Sequence, residues 1–149
     1  MENLFTRAAD VREFASAGKA TLTIESRQSG ARFTYRIKCP QDRGILFVSV
    51  LSGADNETAY SYFGYIRRGV FFHGGQKAKC GYEAPSVRAF AWAWQRLMQD
   101  RIPDNIRIWH EGRCGRCGRK LTVPSSIASG LGPECAGRSD RVFLAEEVA

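Results

Sequence analysis

The sequence predicts an α+β fold in which an antiparallel meander sheet is covered by a helix and followed by a small cysteine-bearing module. Three observations lead to this prediction. Residues 20–73 alternate between apolar and polar side chains and have short connections, which indicates consecutive antiparallel strands. Residues 86–101 carry an apolar stripe at helical spacing. Three of the five cysteines fall between Cys114 and Cys135.

The composition is that of an ordinary globular protein. The 149 residues are 44% hydrophobic and 25% charged, a balance that supports a buried core. No apolar run reaches the length of a membrane-spanning helix, and the first residues lack the charged and apolar order of a signal peptide. We therefore expect a cytoplasmic protein with no membrane partner. The net charge of +7 favours polyanionic partners, although charge alone does not identify one.

The first predicted helix spans residues 6–17. Thr6 can cap its amino end, and Gly18 stands where a glycine commonly ends a helix. Val11 and Phe14 lie three residues apart, so they share one face. This short helix is expected to precede the sheet.

Five strands are predicted after this helix. They fall at residues 21–25, 33–38, 45–51, 59–66 and 70–73. The first two alternate strictly, which predicts a hairpin with one face in water. The third is apolar on both sides apart from Ser49, which indicates a central strand. Short turns between successive strands favour an antiparallel meander, and a glycine-rich loop over residues 73–85 follows it.

Residues 86–101 form the strongest predicted helix. Ser86 can cap it, and Pro103 ends the helical pattern. Its apolar side chains line one side and are expected to cover one face of the sheet. They are Val87, Phe90, Ala91, Trp94, Leu97 and Met98. Residues 106–110 then predict one more strand, which leads into the cysteine region.

The cysteines near the carboxyl end form a metal-ligand pattern. Cys114 and Cys117 belong to a C-x2-C-G knuckle, whose tight turn places both thiolates on one side while Gly118 permits a positive φ. Seventeen residues separate Cys117 from Cys135, which fits the first three positions of a C-x2-C-x15–20-C-x2-C zinc site. The fourth position holds Arg138, so a closed zinc site needs another ligand.

We predict that a histidine completes this site. The predicted Zn²⁺ ligands are His110, Cys114, Cys117 and Cys135. Three residues separate His110 from Cys114, and His110 ends a predicted strand. Other candidates for the fourth ligand are Cys80, Cys39, Asp140, His73 and water. Three unligated thiols are the alternative to a metal site as a whole.

The last cysteine of the pattern lies at a predicted helix start. Pro133 suits a first helical turn, so Cys135 lies where backbone N–H groups and the helix dipole stabilise a thiolate. A knuckle followed by a ligand at a helix start is the arrangement of treble-clef zinc modules. The predicted organisation is an α+β domain at 1–105, a treble-clef-like zinc-binding module at 106–141 and a tail at 142–149.

Eleven positions of this stretch match the signature C-x2-C-G-R-x-L-x-x-P-x-S-x-x-x-G-x-G-P-x-C. They are Cys114, Cys117, Gly118, Arg119, Leu121, Pro124, Ser126, Gly130, Gly132, Pro133 and Cys135. Through them the chain resembles an uncharacterised zinc-finger-like family of phage and mobile-element proteins. The resemblance implies metal binding and a phage or prophage origin, and with it the cytoplasm of a host cell. It implies no activity.

Two surfaces are candidates for an anionic partner. The predicted partner-binding residues around the knuckle are Arg107, Trp109, Arg113, Arg116, Arg119 and Lys120. These cations can hold phosphates while Trp109 stacks on a base, or form a solvated face while Trp109 packs against the main domain. Aromatic residues of the strands can likewise form a stacking platform or belong to the core. They are Phe33, Tyr35, Tyr60, Tyr62, Phe63 and Tyr65.

No catalytic constellation is predicted. Zinc deaminases place a glutamate two residues after the ligand histidine, whereas Glu111 follows His110 directly. The leading hypothesis is therefore a non-enzymatic phage or mobile-element protein that binds nucleic acid or a nucleoprotein through its basic surface. The alternative is a phage-encoded, anti-CRISPR-like inhibitor. It would act by binding a host defence protein, for example a defence protein that binds nucleic acid.

Overall fold

The structure is a computed structural model that describes residues 3–39, 44–52, 59–118, 120–121 and 124–131, without the side chains of residues 124–126. These ranges contain six strands. They are β1 (Lys19–Ser26), β2 (Arg32–Lys38), β3 (Ile45–Leu51), β4 (Tyr60–Arg67), β5 (Val70–His73) and β6 (Ile106–His110). They also contain three α-helices and one 3-10 helix. These are α1 (Ala8–Ala15), α2 (Pro85–Met98), α3 (Pro124–Ser129) and the 3-10 turn Gly75–Lys77.

One antiparallel sheet contains all six strands, in the order β5-β4-β3-β2-β1-β6. The predicted α+β class and the meander from β1 to β5 are confirmed. β6 then pairs with β1 at the far edge, where Leu22 lies opposite His110 and Ile24 lies opposite Ile108. The strand that opens the predicted module at residues 106–141 is therefore an edge strand of the main sheet.

α1 begins two residues later than predicted, at Ala8, and α2 begins one residue earlier than predicted, at Pro85. Arg7, not Thr6, precedes α1, and no side chain of the described residues caps that end. α2 starts with Pro85 in its first turn, where the missing proline N–H costs no hydrogen bond, so Ser86 lies inside the helix. Among the described residues, no helix has both the length and the apolar character that a membrane crossing requires.

Aromatic side chains fill the core between α2 and the sheet. The ring of Phe90 lies 5.0 Å from that of Tyr35, 5.3 Å from that of Phe71 and 5.8 Å from that of Phe63, measured between centroids. The Tyr35 hydroxyl donates to the Ser86 carbonyl at 2.6 Å, and burial raises the pKa of this phenol. α2 therefore covers one face of the sheet, as predicted.

Phe14 organises the opposite end of the same core. This fully buried ring of α1 lies 5.3 Å from Phe5 and 5.6 Å from the His110 ring. Gly115 and Gly130 approach it so closely that a Cβ at either position would meet the Phe14 ring at 2.7 Å or less. The described part of the cysteine region thus shares one hydrophobic core with the sheet. Its buried members in that core are Cys114, Leu121 and Leu131.

Candidate nucleic-acid interface and cysteine knuckle

The sheet has a second face that the described helices do not cover, here called the open face. Side chains alternate between faces along a strand, and residues opposite each other on neighbouring strands share a face. One row across the sheet shows its content. From β1 to β5 this row runs Lys19, Lys38, Phe47, Tyr65 and Phe72. Cations therefore lie at one end of the row and aromatic rings at the other.

Aromatic side chains form the β3 to β5 part of the open face. The rings of Tyr65 and Phe72 stack with centroids 5.4 Å apart and planes inclined by 25°. The ring of Phe47 lies 6.2 Å from that of Tyr62. Phe47 is 40% exposed and Phe72 is 43% exposed. Large apolar rings that stay in water on a flat surface are typical of a binding site.

Two guanidinium groups lie over aromatic rings on the remainder of the open face. The Arg36 guanidinium carbon is 4.0 Å from the centre of the Tyr60 ring, and that of Arg32 is 4.9 Å from the Trp109 ring. Such cation–π contacts hold the guanidinium planes in place. The buried Trp109 indole N–H has no hydrogen-bond partner within the described part of the chain. The structure thus places Trp109 on the open face, half-buried beneath Arg32.

The open face has an excess of positive charge. Its basic residues are Lys19, Arg32, Arg36, Lys38, Arg67 and Arg107, and the acidic side chains beside them are Glu25 and Glu111. Glu25 lies between two arginines, 2.9 Å from Arg32 and 3.9 Å from Arg107. Within the described ranges, Lys19, Lys38 and Arg67 form no ion pair. Uncompensated cations beside exposed rings favour an anionic aromatic ligand.

The structure divides the predicted aromatic platform between the two faces. Tyr60, Tyr62 and Tyr65 lie on the open face. Tyr35 and Phe63 are fully buried under α2, and half-buried Phe33 packs against the same core. Phe47 and Phe72 belong to the platform but were not predicted from the sequence. Phe47 lies in a strand that is apolar on both sides, so composition gave no sign of which face it occupies.

The cysteine knuckle has the local geometry that its sequence predicts. The Arg116 N–H donates to the sulfur of buried Cys114 at 3.4 Å, and the Gly118 N–H donates to the Cys114 carbonyl at 3.0 Å. Gly118 has a φ of +80°, so the predicted positive φ is confirmed. Cys117 is exposed. Because the Lys19 N–H donates to the Gly115 carbonyl at 2.6 Å, the knuckle is attached directly to the start of β1.

His110 is buried, and both of its ring nitrogens have partners. Nδ1 accepts from the Gly112 N–H at 3.0 Å, and Nε2 lies 2.5 Å from the Ile127 carbonyl, to which it can donate. Burial lowers the pKa of this imidazole, which the hydrogen bond to Ile127 and the nearby Glu111 partly oppose. A metal could take His110 only by replacing one of these hydrogen bonds, so His110 as a ligand stays a prediction.

His73 repeats this arrangement. Its Nδ1 accepts from the Gly75 N–H at 3.1 Å, and its Nε2 lies 2.8 Å from the Cys80 carbonyl. Both histidines precede a glycine by two residues, in the sequences His-Gly-Gly and His-Glu-Gly. Both glycines have a positive φ. The His-x-Gly spacing is therefore the sequence signal for a histidine that ties a loop to the backbone, and sequence reasoning missed it.

The predicted metal ligands come together only in part. The described residues contain no group of three or more His, Cys, Asp or Glu side chains that could hold a metal ion. Cys135 lies outside the described residues, as does Asp140. Cys39 and Cys80 are half-buried and pack against the core. Of the four predicted ligands, His110, Cys114 and Cys117 lie within the described residues.

The predicted partner-binding residues are spread over two surfaces. Arg107 and Trp109 lie on the open face. Arg113 and Lys120 are exposed in the short bridge that closes the knuckle, where Arg113 also donates to the Gly118 carbonyl at 3.2 Å. Half-buried Arg116 lies within the knuckle turn, and Arg119 lies outside the described residues. Among the described residues, the predicted partner-binding set is therefore divided between the sheet and the knuckle.

Fold and site together define an α+β protein with an open, aromatic and basic sheet face that is bordered by a cysteine knuckle. Residues 110–140 match the model of a family of unknown function, DUF6011. That match covers the predicted metal-ligand stretch and carries no assigned activity. No curated protein and no solved structure matches the chain.

Proposed function

We propose that this protein binds single-stranded nucleic acid on its open face and performs no catalysis of its own. The observation that carries the proposal is the row in which exposed rings share the open face with two lysines that form no ion pair within the described ranges. Bases of a single strand can stack on aromatic side chains, while lysine and arginine hold the phosphates. In a duplex the faces of the bases are stacked on one another, so a flat platform favours the single strand.

The two guanidinium-covered rings support the same proposal. The guanidinium groups of Arg32 and Arg36 lie over the rings of Trp109 and Tyr60. Unstacked bases pack on arginine planes as well as on aromatic rings. These two arginines therefore extend the stacking surface from β4 toward β6 and add charge next to the backbone of a bound strand.

We propose further that the knuckle contributes two thiolates to a structural Zn²⁺ site. The hydrogen bond from Arg116 to the Cys114 sulfur and the turn at Gly118 suit thiolate ligands, and Cys135 has the spacing of a third. A bound zinc ion would cross-link this region and stabilise its fold. Because both nitrogens of His110 are already hydrogen-bonded, we assign His110 the role of holding the knuckle against Ile127 and leave the fourth ligand to another group.

The experiment that tests binding compares two exposed aromatic residues. Phe72→Ala is expected to weaken binding of a fluorescent single-stranded oligonucleotide by about 5- to 150-fold, because stacking contributes roughly 1–3 kcal/mol per base. Trp92→Ala is the matched control, since Trp92 is similarly exposed but lies on α2. Its affinity is expected to stay within about twofold of the unmodified protein. Fluorescence anisotropy at several salt concentrations measures both.

Binding is also expected to weaken steeply as salt rises, because phosphate contacts release counterions. Absence of binding at low salt, or equal losses for Phe72→Ala and Trp92→Ala, would contradict the proposal. If binding is absent, stable association with a host nucleic-acid-binding protein would favour the inhibitor alternative.

A further inference from the structure

A basic depression lies where the open face meets the knuckle. It has a volume of about 520 Å³ and is lined by Gly18, Lys19, Thr21, Arg36, Lys38, Glu111 and Gly118. That volume falls within the range of small-ligand sites in proteins. Three of the lining side chains are cationic, one is acidic, and Thr21 adds a hydroxyl that can donate a hydrogen bond. The depression therefore has a net charge of +2.

Two of these cations lie in an unfavourable position in the absence of a ligand. Lys19 and Lys38 are directly opposite each other on β1 and β2, where side chains are closest and like charges destabilise a sheet. Neither lysine forms an ion pair with any residue of the described ranges. Arg36 follows on the same face of β2, opposite Thr21. An anion bound between the two lysines would remove their repulsion.

We propose that this depression binds one phosphate group. A phosphate bears a charge of about −1 in a nucleic-acid backbone and of about −1.5 to −2 at a chain end, which matches the net +2 of the lining. Because Glu111 lowers the net charge of the lining residues to +2, a single phosphate suits the depression better than a polyphosphate. The inference rests on the proposed function for the source of the phosphate, which is a nucleic-acid strand.

The location of the depression also defines how a strand would lie. Lys19 and Lys38 begin the row that continues through Phe47, Tyr65 and Phe72. Neighbouring strands of a sheet are about 4.8 Å apart, so roughly 14 Å separate Lys38 from Phe72 along this row. A phosphate held by the lysines thus places the following bases over the rings. The phosphate site gives the bound strand its register on the open face.

The test uses the double variant Lys19→Gln, Lys38→Gln and inorganic phosphate as the probe. In the unmodified protein, phosphate at about ten times its dissociation constant is expected to raise Tm by about 3 to 6 °C relative to chloride at equal ionic strength. The double variant is expected to lose this shift. Without phosphate its Tm should rise by about 1 to 3 °C, because the repulsion is gone.

The matched control is Lys77→Gln, Arg88→Gln, which removes the same charge from two exposed positions away from the depression. It should keep the phosphate-dependent shift. The proposal is overturned if phosphate raises Tm equally in the unmodified protein and in the Lys19, Lys38 variant, or if the control also loses the shift. Since this readout needs no oligonucleotide, it separates failure of the phosphate site from failure of strand binding.

A second arm identifies the source of the phosphate. Short single-stranded oligonucleotides with and without a 5′-phosphate are compared by anisotropy. Tighter binding of the phosphorylated form indicates that the depression takes a terminal phosphate, and equal binding indicates a backbone phosphate. In both cases the Lys19, Lys38 variant should show a salt slope smaller by about 0.7. An unchanged slope would contradict the proposal.

Discussion

Phe14→Ala is expected to lower the free energy of unfolding by about 3–5 kcal/mol, the usual cost of removing a fully buried phenylalanine. Phe14 is 0% exposed and lies between the sheet core and the cysteine region. Its ring contacts Phe5 and His110, and the glycines at 115 and 130 leave room for it. Neither glycine has a side chain that could fill the space left by the ring, so a cavity should remain.

Urea unfolding followed by circular dichroism measures this loss, with Trp92→Ala as the control. Trp92 is 37% exposed on α2, so its removal should change stability by less than about 1 kcal/mol. Hydrogen exchange should show faster opening of α3 and the knuckle in Phe14→Ala than of β2 and β3. A loss below about 1 kcal/mol for Phe14→Ala would show that the cysteine region does not depend on this contact.

Cys117→Ser is expected to abolish the binding of zinc, from one ion per chain to none, in protein purified without chelators. Loss of one thiolate from a closed four-ligand site leaves the metal weakly held. Elemental analysis of the purified protein measures the stoichiometry. Cys80→Ser is the control. The Cys80 carbonyl contacts His73 of β5, at the edge of the sheet opposite to the one where the knuckle is attached to β1, so Cys80 is too distant to be the fourth ligand.

His110→Gln separates the two roles considered for the histidine. A glutamine amide can still donate to the Ile127 carbonyl. If His110 only holds the knuckle against Ile127, His110→Gln should therefore retain its zinc and lose some stability. Loss of zinc from a variant whose sheet remains folded would instead identify His110 as the fourth ligand. If elemental analysis finds no bound metal in the unmodified protein, the zinc proposal as a whole is contradicted.

Local periodicity predicted the strands and the long helix, but it did not predict which distant segments of the chain pair or pack with one another. β1 to β5 and α2 follow from alternation and from helical spacing, which are properties of neighbouring residues. The pairing of β6 with β1 joins residues that are far apart in the sequence, and nothing in residues 106–110 specifies that partner. The packing of Gly115 and Gly130 on Phe14 is likewise a contact between distant segments.

The sequence indicated which types of residue form the candidate site, but not which face of the sheet each of them occupies. A one-residue change of register moves every side chain to the opposite face of a sheet, so the fate of each aromatic residue depends on pairing. β3 and β4 show this directly, because their register shifts between Val48 and Ser49. Within β4, Tyr62 and Tyr65 both lie on the open face, although they are three residues apart and strict alternation would place them on opposite faces. Alternation counted along β4 alone does not predict this.

The histidine near the knuckle illustrates a second limit of sequence reasoning. Its proximity to Cys114 predicts a ligand, which stays a prediction. The structure adds the hydrogen bonds with Gly112 and Ile127, one of which a metal would have to replace. The Ile127 carbonyl belongs to α3, which the sequence analysis did not place. A ligand assignment from spacing alone therefore lacks the hydrogen-bond partners that compete for the imidazole.

Backbone amide chemical shifts in NMR can show, residue by residue, whether the open face of the sheet binds single-stranded nucleic acid as we claim. Titration with a short single-stranded oligonucleotide is expected to shift the amides of Lys38, Phe47, Tyr65 and Phe72, and to leave those around Trp92 on α2 unchanged. Shifts concentrated on α2, or no shifts at concentrations well above that of the protein, would contradict the claim.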